Sequence, residues 1–423
     1  MAPVSPAKEW AGPRCRFSGQ PLKHTFVDLG MSPIANNNLR AADLTKPEKF
    51  YPLHVRVSEE LFLVQLEELE GATAEDIFNP DYVYFSSYSD TWLQHAKEYC
   101  DMMIARFGFG PRHRVIEVAS NDGYLLRWFK ERGIPALGIE PTTGTAEAAR
   151  RNHGIESYNV FLGVETATEI VAQSDRADLL IGNNVLAHVP DINDFIGGLS
   201  ILLEPDGILT MEFPHLLQLM RHNEFDTIYH EHFSYLSFIT VEKMFAHHGL
   251  TLFDVEELPT HGGSLRIFAR HAEAKKPPVL DRVATMRRKE IDFGLDCMET
   301  YERFGEQVKA TKRKLLRLLT VLKDAGNSIA GYGSPAKGNT LLNYCGVRTD
   351  FIDYVVDRNP KKQGLFTPGT HIPIYAPEKI FETRPDYILI LPWNIQKEIM
   401  EKMKGVREWG GKFIVPIPEP RIL

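Results

Sequence analysis

The sequence has little cysteine and no long apolar run, and both absences narrow the classes of protein that it can encode. Its cysteines are far apart and form no C-x-x-C pair, so a disulfide framework is disfavoured in a chain of 423 residues. No apolar run approaches the roughly 20 residues that span a bilayer, and the N-terminal MAPVSPAKEWAGPR lacks the apolar core of a signal peptide. We therefore expect a cytoplasmic protein that does not enter a membrane. The cysteines are Cys15, Cys100, Cys297 and Cys345.

The sequence also lacks an excess of positive charge. It has 48 Lys and Arg against 56 Asp and Glu, which gives a formal net charge of −8. Nucleic-acid binding needs clustered cations that contact phosphates, so this balance argues against a nucleic-acid partner. The one cationic cluster, Lys309 to Arg317, has helical spacing and is typical of a solvated helix face. Nothing in the sequence predicts a protein partner.

What the sequence does contain is an alternation of apolar runs with amphipathic stretches, which begins near Arg112. The runs VIEVA, ALGIE, DLLIGNN and GILTMEF predict strands, and DGYLLRWFKERG, TAEAARRNHG and INDFIGGLSILL predict helices between them. This alternation predicts an α/β fold, with a parallel sheet that is covered by helices on both faces.

We expect three domains, with limits at residues 1–80, 81–275 and 276–423. The first is a small unit of short extended pieces separated by turn-forming Pro and Asn residues. The stretch AEAKKPPVL joins the second domain to a long charged helix, which is predicted over about residues 280–325. A further α/β unit follows, with strands predicted at SIAGYG, FIDYVVD, YILILPW and KFIVPI and a helix at AKGNTLLNYC.

The loop in VIEVASNDGYLL lies at the carboxyl end of a predicted strand, which is where open α/β sheets bind ligands. The G-x-G-x-x-G fingerprint is absent, and the carboxylates in and near this loop would repel a pyrophosphate. S-adenosylmethionine, which is cationic and has a ribose but no phosphate, suits the loop better. The alternative is a βα turn without a ligand. The residues expected to hold the cofactor here are Glu117, Ser120, Asn121, Asp122, Gly123 and Glu140.

The segment FDTIYHEHFSYLS (225–237) places four polar or ionisable residues in succession, from Tyr229 to His232. Such a set can remove a proton from a carbon next to a ketone, because His is the usual base near neutral pH and a phenol can stabilise an oxyanion. Two alternatives stand beside this interpretation. His230 and His232 could form a metal pair, or the segment could be a core strand with incidental polar side chains.

Short motifs, each weak alone, occur in one specific order along nearly the whole chain: FVDLGMSPIANN, YPLHV, FLVQL, DYVYFSSYS, IEVASNDG, LGIEPT, NNVLAHVPD, EFDTIYHEHFSYLS, THGGSLR, GYGSPAKGNTLLN and TPGTHIPI. In this order they resemble the sugar C-methyltransferase family of deoxysugar biosynthesis. The resemblance implies a class I methyltransferase domain of Rossmann-like fold, with a small N-terminal domain and a second, C-terminal Rossmann-like domain. It implies S-adenosylmethionine-dependent methylation of a nucleotide-linked keto-sugar, most readily at C-3 of a 4-keto-6-deoxy sugar.

The resemblance also implies roles for particular residues. The family's Tyr-x-Glu-His falls on Tyr229, Glu231 and His232, with His232 as the general base; His188 is then a contact of the sugar or its enolate. His230 occupies the variable position and has no expected role. One departure is Ala119, where methyltransferases commonly have Gly. The further cofactor contacts are Tyr84, Ser87, Pro141, Asn183 and Asn184, although Tyr84 and Ser87 could instead pack a domain interface.

Relatives carry two Cys pairs in the first unit, which implies a structural zinc site of the Cys₄ type. Here those positions hold Cys15, Ser18, Ser58 and Leu61, so three of the four ligands are missing. We therefore expect this unit to fold without zinc, and we expect no other metal.

The segment GYGSPAKGNTLLN predicts a glycine-rich loop between a strand and a helix, whose N-terminus favours an anion. Such a loop suits a diphosphate, and the resemblance favours a contact with a nucleotide-sugar substrate. The unit could instead be a relic Rossmann half with only a structural role. An NAD-dependent oxidoreductase is an alternative, because Asp357 ends the next predicted strand, although the glycine spacing departs from the dinucleotide pattern. A non-catalytic nucleotide-sugar-binding protein is another. The expected substrate contacts are Gly333, Ser334, Lys337, Asn339 and His261.

Overall fold

A computed structural model describes residues 12–67, 85–88, 90–174 and 176–423, which form three β-sheets with helices around them. The strands are β1 His24–Ser32, β2 Tyr51–Val57, β3 Val64–Leu66, β4 Val115–Val118, β5 Ala136–Ile139, β6 Glu156–Tyr158, β7 Ala177–Asn183, β8 Leu203–Pro214, β9 Ser234–Tyr235, β10 Leu250–Leu258, β11 Ser264–His271, β12 Ile329–Tyr332, β13 Val355–Val356, β14 Ile374–Tyr375, β15 Tyr387–Ile390, β16 Lys412–Val415 and β17 Arg421–Ile422. The helices are α1 Asp90–Phe107, α2 Leu126–Glu131, α3 Thr143–His153, α4 Val164–Gln173, α5 Ile192–Leu202, α6 Leu216–Arg221, α7 Phe238–His247, α8 Asp281–Phe293, α9 Met298–Asp324, α10 Ala336–Cys345, α11 Lys379–Thr383 and α12 Gln396–Lys402. None of the helices in these ranges is both long and apolar enough to cross a membrane.

The central sheet has the strand order β10-β11-β8-β7-β4-β5-β6. The five strands from β8 to β6 in that order are parallel, which confirms the predicted α/β fold. Strands β11 and β10 extend the sheet beside β8 in antiparallel orientation. Both lie within residues 250–271, where the sequence pattern suggested no strand, so the expected parallel sheet is corrected to a mixed one.

The parallel strands of the central sheet bury side chains on both faces, because successive residues of a strand point in opposite directions. Ile116 and Leu180 belong to one apolar cluster, whereas Val115, Leu179 and Ile181 belong to the other. All five side chains are fully buried, as expected for a parallel sheet covered by helices. This packing fixes the carboxyl edge of β4, β5 and β7, from which the loops of the candidate site emerge.

The single helix predicted over about residues 280–325 is wrong, because the chain forms two helices, α8 and α9, there. Gly294 adopts a φ of +94° at the end of α8, and its N–H bonds back to the Glu290 carbonyl. Glycine enters this left-handed conformation at little cost, and it commonly ends helices. Helix α8 is held on the central domain by the buried Glu290 carboxylate, which accepts hydrogen bonds from His215 Nε2 and the first N–H groups of α7.

The C-terminal sheet has the order β14-β13-β12-β15-β16-β17, and its strands are parallel except for β17. This is the expected second Rossmann-like unit. Strand β13 keeps only Val355 and Val356 of the predicted FIDYVVD strand, while α10 coincides with the predicted helix. Gly333 follows β12 with a φ of +84°, and a Cβ atom there would lie 2.7 Å from the Pro392 side chain. Only glycine therefore fits this bend without a shift of its neighbours.

The N-terminal sheet is antiparallel, with the order β1-β2-β3-β9. Its last strand, β9, comes from the central part of the chain and pairs Tyr235 with Val64. Phe26 on β1 stacks on Phe304 of α9 at a centroid distance of 4.5 Å, and β1 to β3 share one apolar cluster with the C-terminal sheet. The small first unit therefore packs against both other parts of the chain. The domain limits at residues 80 and 275 stay a prediction.

Hydrogen bonds tie the chain together at the positions where the resemblance implies a zinc site. Cys15 is buried, and Gln65 Nε2 donates to its sulfur at 3.2 Å, while Gln65 Oε1 accepts from the Arg16 N–H at 2.7 Å. Ser58 Oγ accepts from the Leu63 N–H at 3.0 Å. Among the residues that the structure describes, no group of three or more His, Cys, Asp and Glu could hold a metal ion.

We expect the purified protein to contain less than one zinc ion per chain, because Ser18, Ser58 and Leu61 replace three ligands of a Cys₄ site. Elemental analysis measures the zinc content, and thermal melting with and without a chelator measures its contribution to stability. The melting temperature should not change with the chelator. A full zinc equivalent whose removal lowers the melting temperature would show that the expectation is wrong.

Candidate functional site

The loop after β4, at the carboxyl edge of the central sheet, has an unusual backbone. Ala119, Asn121 and Gly123 all have φ between +51° and +76°. This conformation costs an L-residue roughly 1–2 kcal/mol, which explains why glycine is common at the position of Ala119. Glu140, at the end of β5, supports the loop because its carboxylate accepts from the Asn121 N–H at 2.9 Å and the Thr142 N–H at 2.8 Å.

Several polar atoms around this loop are buried without a hydrogen-bond partner in the described structure. They include both carboxylate oxygens of Glu117, Ser120 Oγ, Asp122 Oδ1 and Asn183 Oδ1. Burial raises the pKa of the Glu117 carboxyl well above its usual range, and the nearby Asp122 and Glu140 raise it further. Unpaired buried polar groups are costly, so a set that converges at one loop indicates a ligand with donors and positive charge. These residues fit S-adenosylmethionine, whose ribose, ammonium and sulfonium present those groups.

Residues 86 and 87 lie against the cofactor loop. The Ser86 N–H donates to Asn121 Oδ1 at 3.0 Å, and the Ser87 hydroxyl donates to Asp122 Oδ2. Ser87 therefore reaches the loop by way of Asp122, as expected for a residue near the cofactor. Tyr84, the other residue predicted from this motif, lies outside the described residues. Pro141 is in the turn directly after Glu140.

The loop after β7 meets the turn between β10 and β11, which carries His261. Asn184 has a φ of +53°, its N–H donates to the Glu212 carbonyl at 2.7 Å, and its Nδ2 lies 3.1 Å from His261 Nε2. The buried Glu212 carboxylate accepts from His95 Nε2 and from Arg266. Burial lowers the pKa of His261 to about 4. His261, expected to contact substrate, therefore lies at the end of the central sheet and can accept a hydrogen bond from Asn184.

Three of the predicted catalytic side chains form one cluster. The His232 ring centroid lies 4.0 Å from that of Tyr229 and 4.7 Å from that of His188. His232 Nδ1–H donates to the Thr227 carbonyl at 2.8 Å, and His188 Nδ1–H donates to the Glu231 carbonyl at 2.7 Å. In both rings the other nitrogen, Nε2, is thereby left as the basic one.

Burial keeps both imidazoles of this cluster neutral. It lowers the pKa of His188 to about 4. It also lowers the pKa of His232 well below its usual value, and the neighbouring His188, His261 and Lys337 add to this effect. The two histidines therefore stay unprotonated throughout the neutral range, which is the form that a general base requires.

The side chains of Glu231 and His230 form hydrogen bonds with two separate residues of the first unit. Glu231 Oε1 accepts from Asn36 Nδ2 at 2.5 Å, so a residue of the first unit reaches this carboxylate. His230 Nε2–H donates to the Pro52 carbonyl at 3.2 Å. The hydrogen bonds of His230 and His232 thus go to different elements, and the two rings do not form a metal pair with each other. The core-strand interpretation is also wrong, because regular pairing starts only at Ser234.

The glycine-rich loop of the C-terminal sheet approaches the same cluster. Lys337, in the first turn of α10, lies over the Trp393 ring at 4.7 Å and donates to Asn394 Oδ1 at 3.1 Å. Its ammonium is close enough to lower the pKa of His232 and His261. The Ser334 N–H donates to Asp357 Oδ2 at 2.8 Å, whereas Ser334 Oγ is buried without a partner.

Asn339 differs from the expectation of a simple substrate contact. Its Nδ2 donates to the Ala35 carbonyl at 2.6 Å and so joins α10 to the first unit. Its Oδ1 is buried without a hydrogen-bond partner among the described residues. The side chain therefore joins α10 to the first unit, and its Oδ1 remains available as a hydrogen-bond acceptor.

The sequence analysis missed several charged residues that the fold brings to the cluster. Burial raises the pKa of Glu224 to about 8 and that of Asp226 to about 6. Both precede Tyr229 in the EFDTIYHEH motif, so their position in the motif was an available signal. Lys362 donates to the Ser334 carbonyl at 2.7 Å. Burial lowers the pKa of Lys362, and the charge of Glu231 partly offsets this effect. Lys362 lies in a loop of ordinary composition, and no local pattern indicates its role.

Comparison with known proteins places these features in a family. Family models described as Methyltransferase domain and C-methyltransferase C-terminal domain match residues 92–255 and 259–418, and one of a zinc binding domain matches residues 15–78. C-methyltransferase NovU from Streptomyces niveus is 36% identical over 412 residues, which cover 97% of this chain and 96% of NovU. A ubiquinone biosynthesis O-methyltransferase from Chelativorans sp. is 27% identical over 26% of this chain and 46% of its own.

Among solved structures, magnesium protoporphyrin IX methyltransferase (ChlM) from Synechocystis, with bound SAH, matches with a TM-score of 0.33 and 14% identity. This match covers 42% of this chain and 82% of ChlM. The NovU match extends from the first unit to the C-terminal sheet, whereas the O-methyltransferase match covers only part of the chain. The chain therefore belongs to the family of S-adenosylmethionine-dependent C-methyltransferases.

Proposed function

We propose that this C-methyltransferase acts on a nucleotide-diphosphate-linked keto-deoxysugar, at the carbon next to the ketone, with His232 as the base. The observation that carries the proposal is the cluster of His232, Tyr229 and His188, which the Lys337 ammonium approaches from the C-terminal unit. C-3 of a 4-keto-6-deoxy sugar is the expected position. C-5 is the other carbon beside that ketone, and NMR of α-proton exchange distinguishes it from C-3. We place the reaction in the cytoplasm.

The cofactor-binding part of the proposal rests on the loop after β4. S-adenosylmethionine, when bound, supplies an electrophilic methyl group. Glu140 would accept the ribose hydroxyl protons with the lone pairs that remain on its oxygens, while it holds the Asn121 N–H. Glu117, Asp122 and Asn183 supply acceptors for the cationic end, which compensates their burial. Ser87 and Tyr84 are proposed to contact the cofactor.

The catalytic part of the proposal follows from the free lone pair of His232. The Thr227 carbonyl holds Nδ1–H, so Nε2 is free to take the proton from the carbon beside the ketone. The phenol of Tyr229, whose ring lies tilted against that of His232, is suited to donate a hydrogen bond to the enolate oxygen, where negative charge develops. His188 Nε2 is proposed to contact the sugar, and Glu231 to hydrogen-bond a sugar hydroxyl while Asn36 orients it.

The substrate's diphosphate is proposed to lie at the N-terminus of α10. Two observations support an anion there: Ser334 Oγ is buried without a hydrogen-bond partner, and burial lowers the pKa of Lys337 even though Asp226 and Glu224 raise it, so a further anion would stabilise the ammonium. Gly333 allows the tight bend before Ser334 and α10, because a side chain at this position would meet Pro392. Membership of the C-methyltransferase family argues against the alternative of an NAD-dependent oxidoreductase. The cluster around His232 argues against a purely binding function.

We expect the Glu140→Ala variant to bind S-adenosylmethionine more weakly by about 1–3 kcal/mol, the scale of charge-assisted hydrogen bonds. Isothermal titration calorimetry measures this affinity. The matched control is Glu147→Ala, which removes an exposed carboxylate from α3 and should bind like the wild type. Equal affinities for Glu140→Ala and wild type would remove Glu140 from the pocket.

We expect His232→Asn to keep both ligands bound but to lose about 10²–10⁴ in turnover, the usual contribution of a positioned base. Tyr229→Phe should lose less if the phenol only stabilises the enolate. The decisive assay follows exchange of the substrate's α-protons in deuterated water without a methyl donor. Suitable probes are the thymidine, uridine, guanosine and cytidine diphosphate esters of 4-keto-6-deoxyglucose, hereafter the probe sugars.

The control for this assay is His230→Asn, the same change two residues away, in a ring that is bonded to Pro52. It should exchange at a rate near that of the wild type. NMR reads exchange at C-3 and C-5 separately and so identifies the carbon. If His232→Asn exchanges as fast as the wild type, the base lies elsewhere, and His188 becomes the next candidate.

A further inference from the structure

The turn that carries the catalytic residues is anchored on the C-terminal unit. We define the catalytic turn as residues 225–233. The indole Nε1–H of Trp393 donates to Asp226 Oδ2 at 2.7 Å, and both side chains are buried. Trp393 begins a short helical turn after β15, so this hydrogen bond crosses from the C-terminal sheet to the start of the catalytic turn.

A second hydrogen bond reaches the same turn from helix α10. Thr340 Oγ1–H donates to the Ile228 carbonyl at 2.9 Å, and Thr340 is 2% exposed. Ile228 lies directly before Tyr229, and the Thr227 carbonyl beside it holds His232 Nδ1–H. The two donors therefore fix the stretch of backbone that sets the position and orientation of the base.

The elements that supply these two donors also carry the cation proposed to hold the substrate. Thr340 lies one turn beyond Lys337 on α10, and the Lys337 ammonium lies over the Trp393 ring at 4.7 Å. Lys337 also donates to Asn394, the residue after Trp393. One packed set of side chains thus includes the substrate cation and both anchors of the catalytic turn.

We infer that Trp393 and Thr340 are positioning residues, which hold His232 in register with a substrate that is bound to the C-terminal unit. The inference rests on the proposed function of His232 and Lys337. Its physical basis is geometric: the base must reach one carbon of a substrate whose diphosphate is fixed on another domain. A displacement of about 1 Å in such a site can cost about 100-fold in rate.

The test uses the full-length enzyme with Trp393→Phe, which removes the indole donor but keeps an aromatic ring beside Lys337. We expect kcat and the exchange of substrate α-protons to fall by roughly 10- to 100-fold, since the base is misplaced. The affinity for S-adenosylmethionine and the KM for the active probe sugar should stay near the wild-type values. A merely structural role would not separate kcat from both binding constants in this way.

The matched control is Trp409→Phe. The Trp409 indole N–H donates to the Pro385 carbonyl at 3.0 Å in the same C-terminal unit and, among the described residues, forms no hydrogen bond with the catalytic turn. The Trp409→Phe variant should lose the stability that an indole hydrogen bond contributes, but its rate of α-proton exchange should stay near that of the wild type. If both variants lose exchange equally, the effect is one of stability and the inference is wrong.

A second pair of variants keeps the inference testable if Trp393→Phe folds poorly. Thr340→Val removes the hydroxyl at nearly constant volume and should lower exchange, while Thr340→Ser restores the donor and should rescue it. An exchange rate like that of the wild type in both Trp393→Phe and Thr340→Val would overturn the inference alone. If the wild type itself exchanges no α-proton in any probe sugar, the proposed function fails first.

Discussion

The hydrogen bond from His232 Nδ1–H to the Thr227 carbonyl is the interaction on which the rest of the site depends. It selects the tautomer that leaves Nε2 free, and it ties the orientation of the ring to the backbone of the catalytic turn. The turn has little regular structure of its own, because it contains only the short helical turn at Phe225–Thr227 and ends directly before the two-residue strand β9. Its conformation must therefore be fixed from outside.

Each of the three parts of the chain contributes to that support. The first unit pairs β3 with β9 and reaches Glu231 through Asn36. The central unit supplies His188, whose ring packs on His232. The C-terminal unit supplies Trp393 and Thr340. Together they enclose much of both imidazoles, which lowers their pKa and strengthens electrostatic interactions inside the site.

This enclosure has a cost, because burial and the Lys337 ammonium both disfavour the imidazolium that forms after proton abstraction. The lowered pKa keeps His232 neutral, but it also makes the ring a weaker proton acceptor. An anion placed on Lys337 would reduce the effect of its charge on His232, since opposite charges at close range offset each other. The position of Lys337 between the proposed diphosphate site and the base gives the site a direct electrostatic link between binding and chemistry.

The sequence predicted the parts of the molecule that are encoded locally. The alternation from VIEVA to GILTMEF predicts the parallel strands and their helices, because the period of apolar residues differs between the two. The resemblance located Tyr229, His232 and His188, which the fold brings into one cluster. Local patterns could not predict that Trp393 reaches Asp226, since 167 positions separate the two residues. They also do not reveal that β9 joins the first sheet, because a two-residue strand carries almost no periodic signal.

Some errors came from rules that compete with one another. The charged stretch after residue 280 has helical character on both sides of Gly294, and the positive φ of this one glycine divides it. Strands β10 and β11 were overlooked because they follow the last α/β repeat and pair as a hairpin, which the expectation of parallel strands does not include.

The central claim is that the methyl group goes to a carbon beside the ketone of a nucleotide-linked sugar. The most direct test incubates the enzyme with ¹³C-methyl-labelled S-adenosylmethionine and the probe sugars, followed by two-dimensional NMR of the isolated product. We predict a labelled methyl group bonded directly to the ring carbon next to the ketone, with loss of that carbon's proton. A label attached to a sugar oxygen, or no label in any of the probe sugars, would contradict the account.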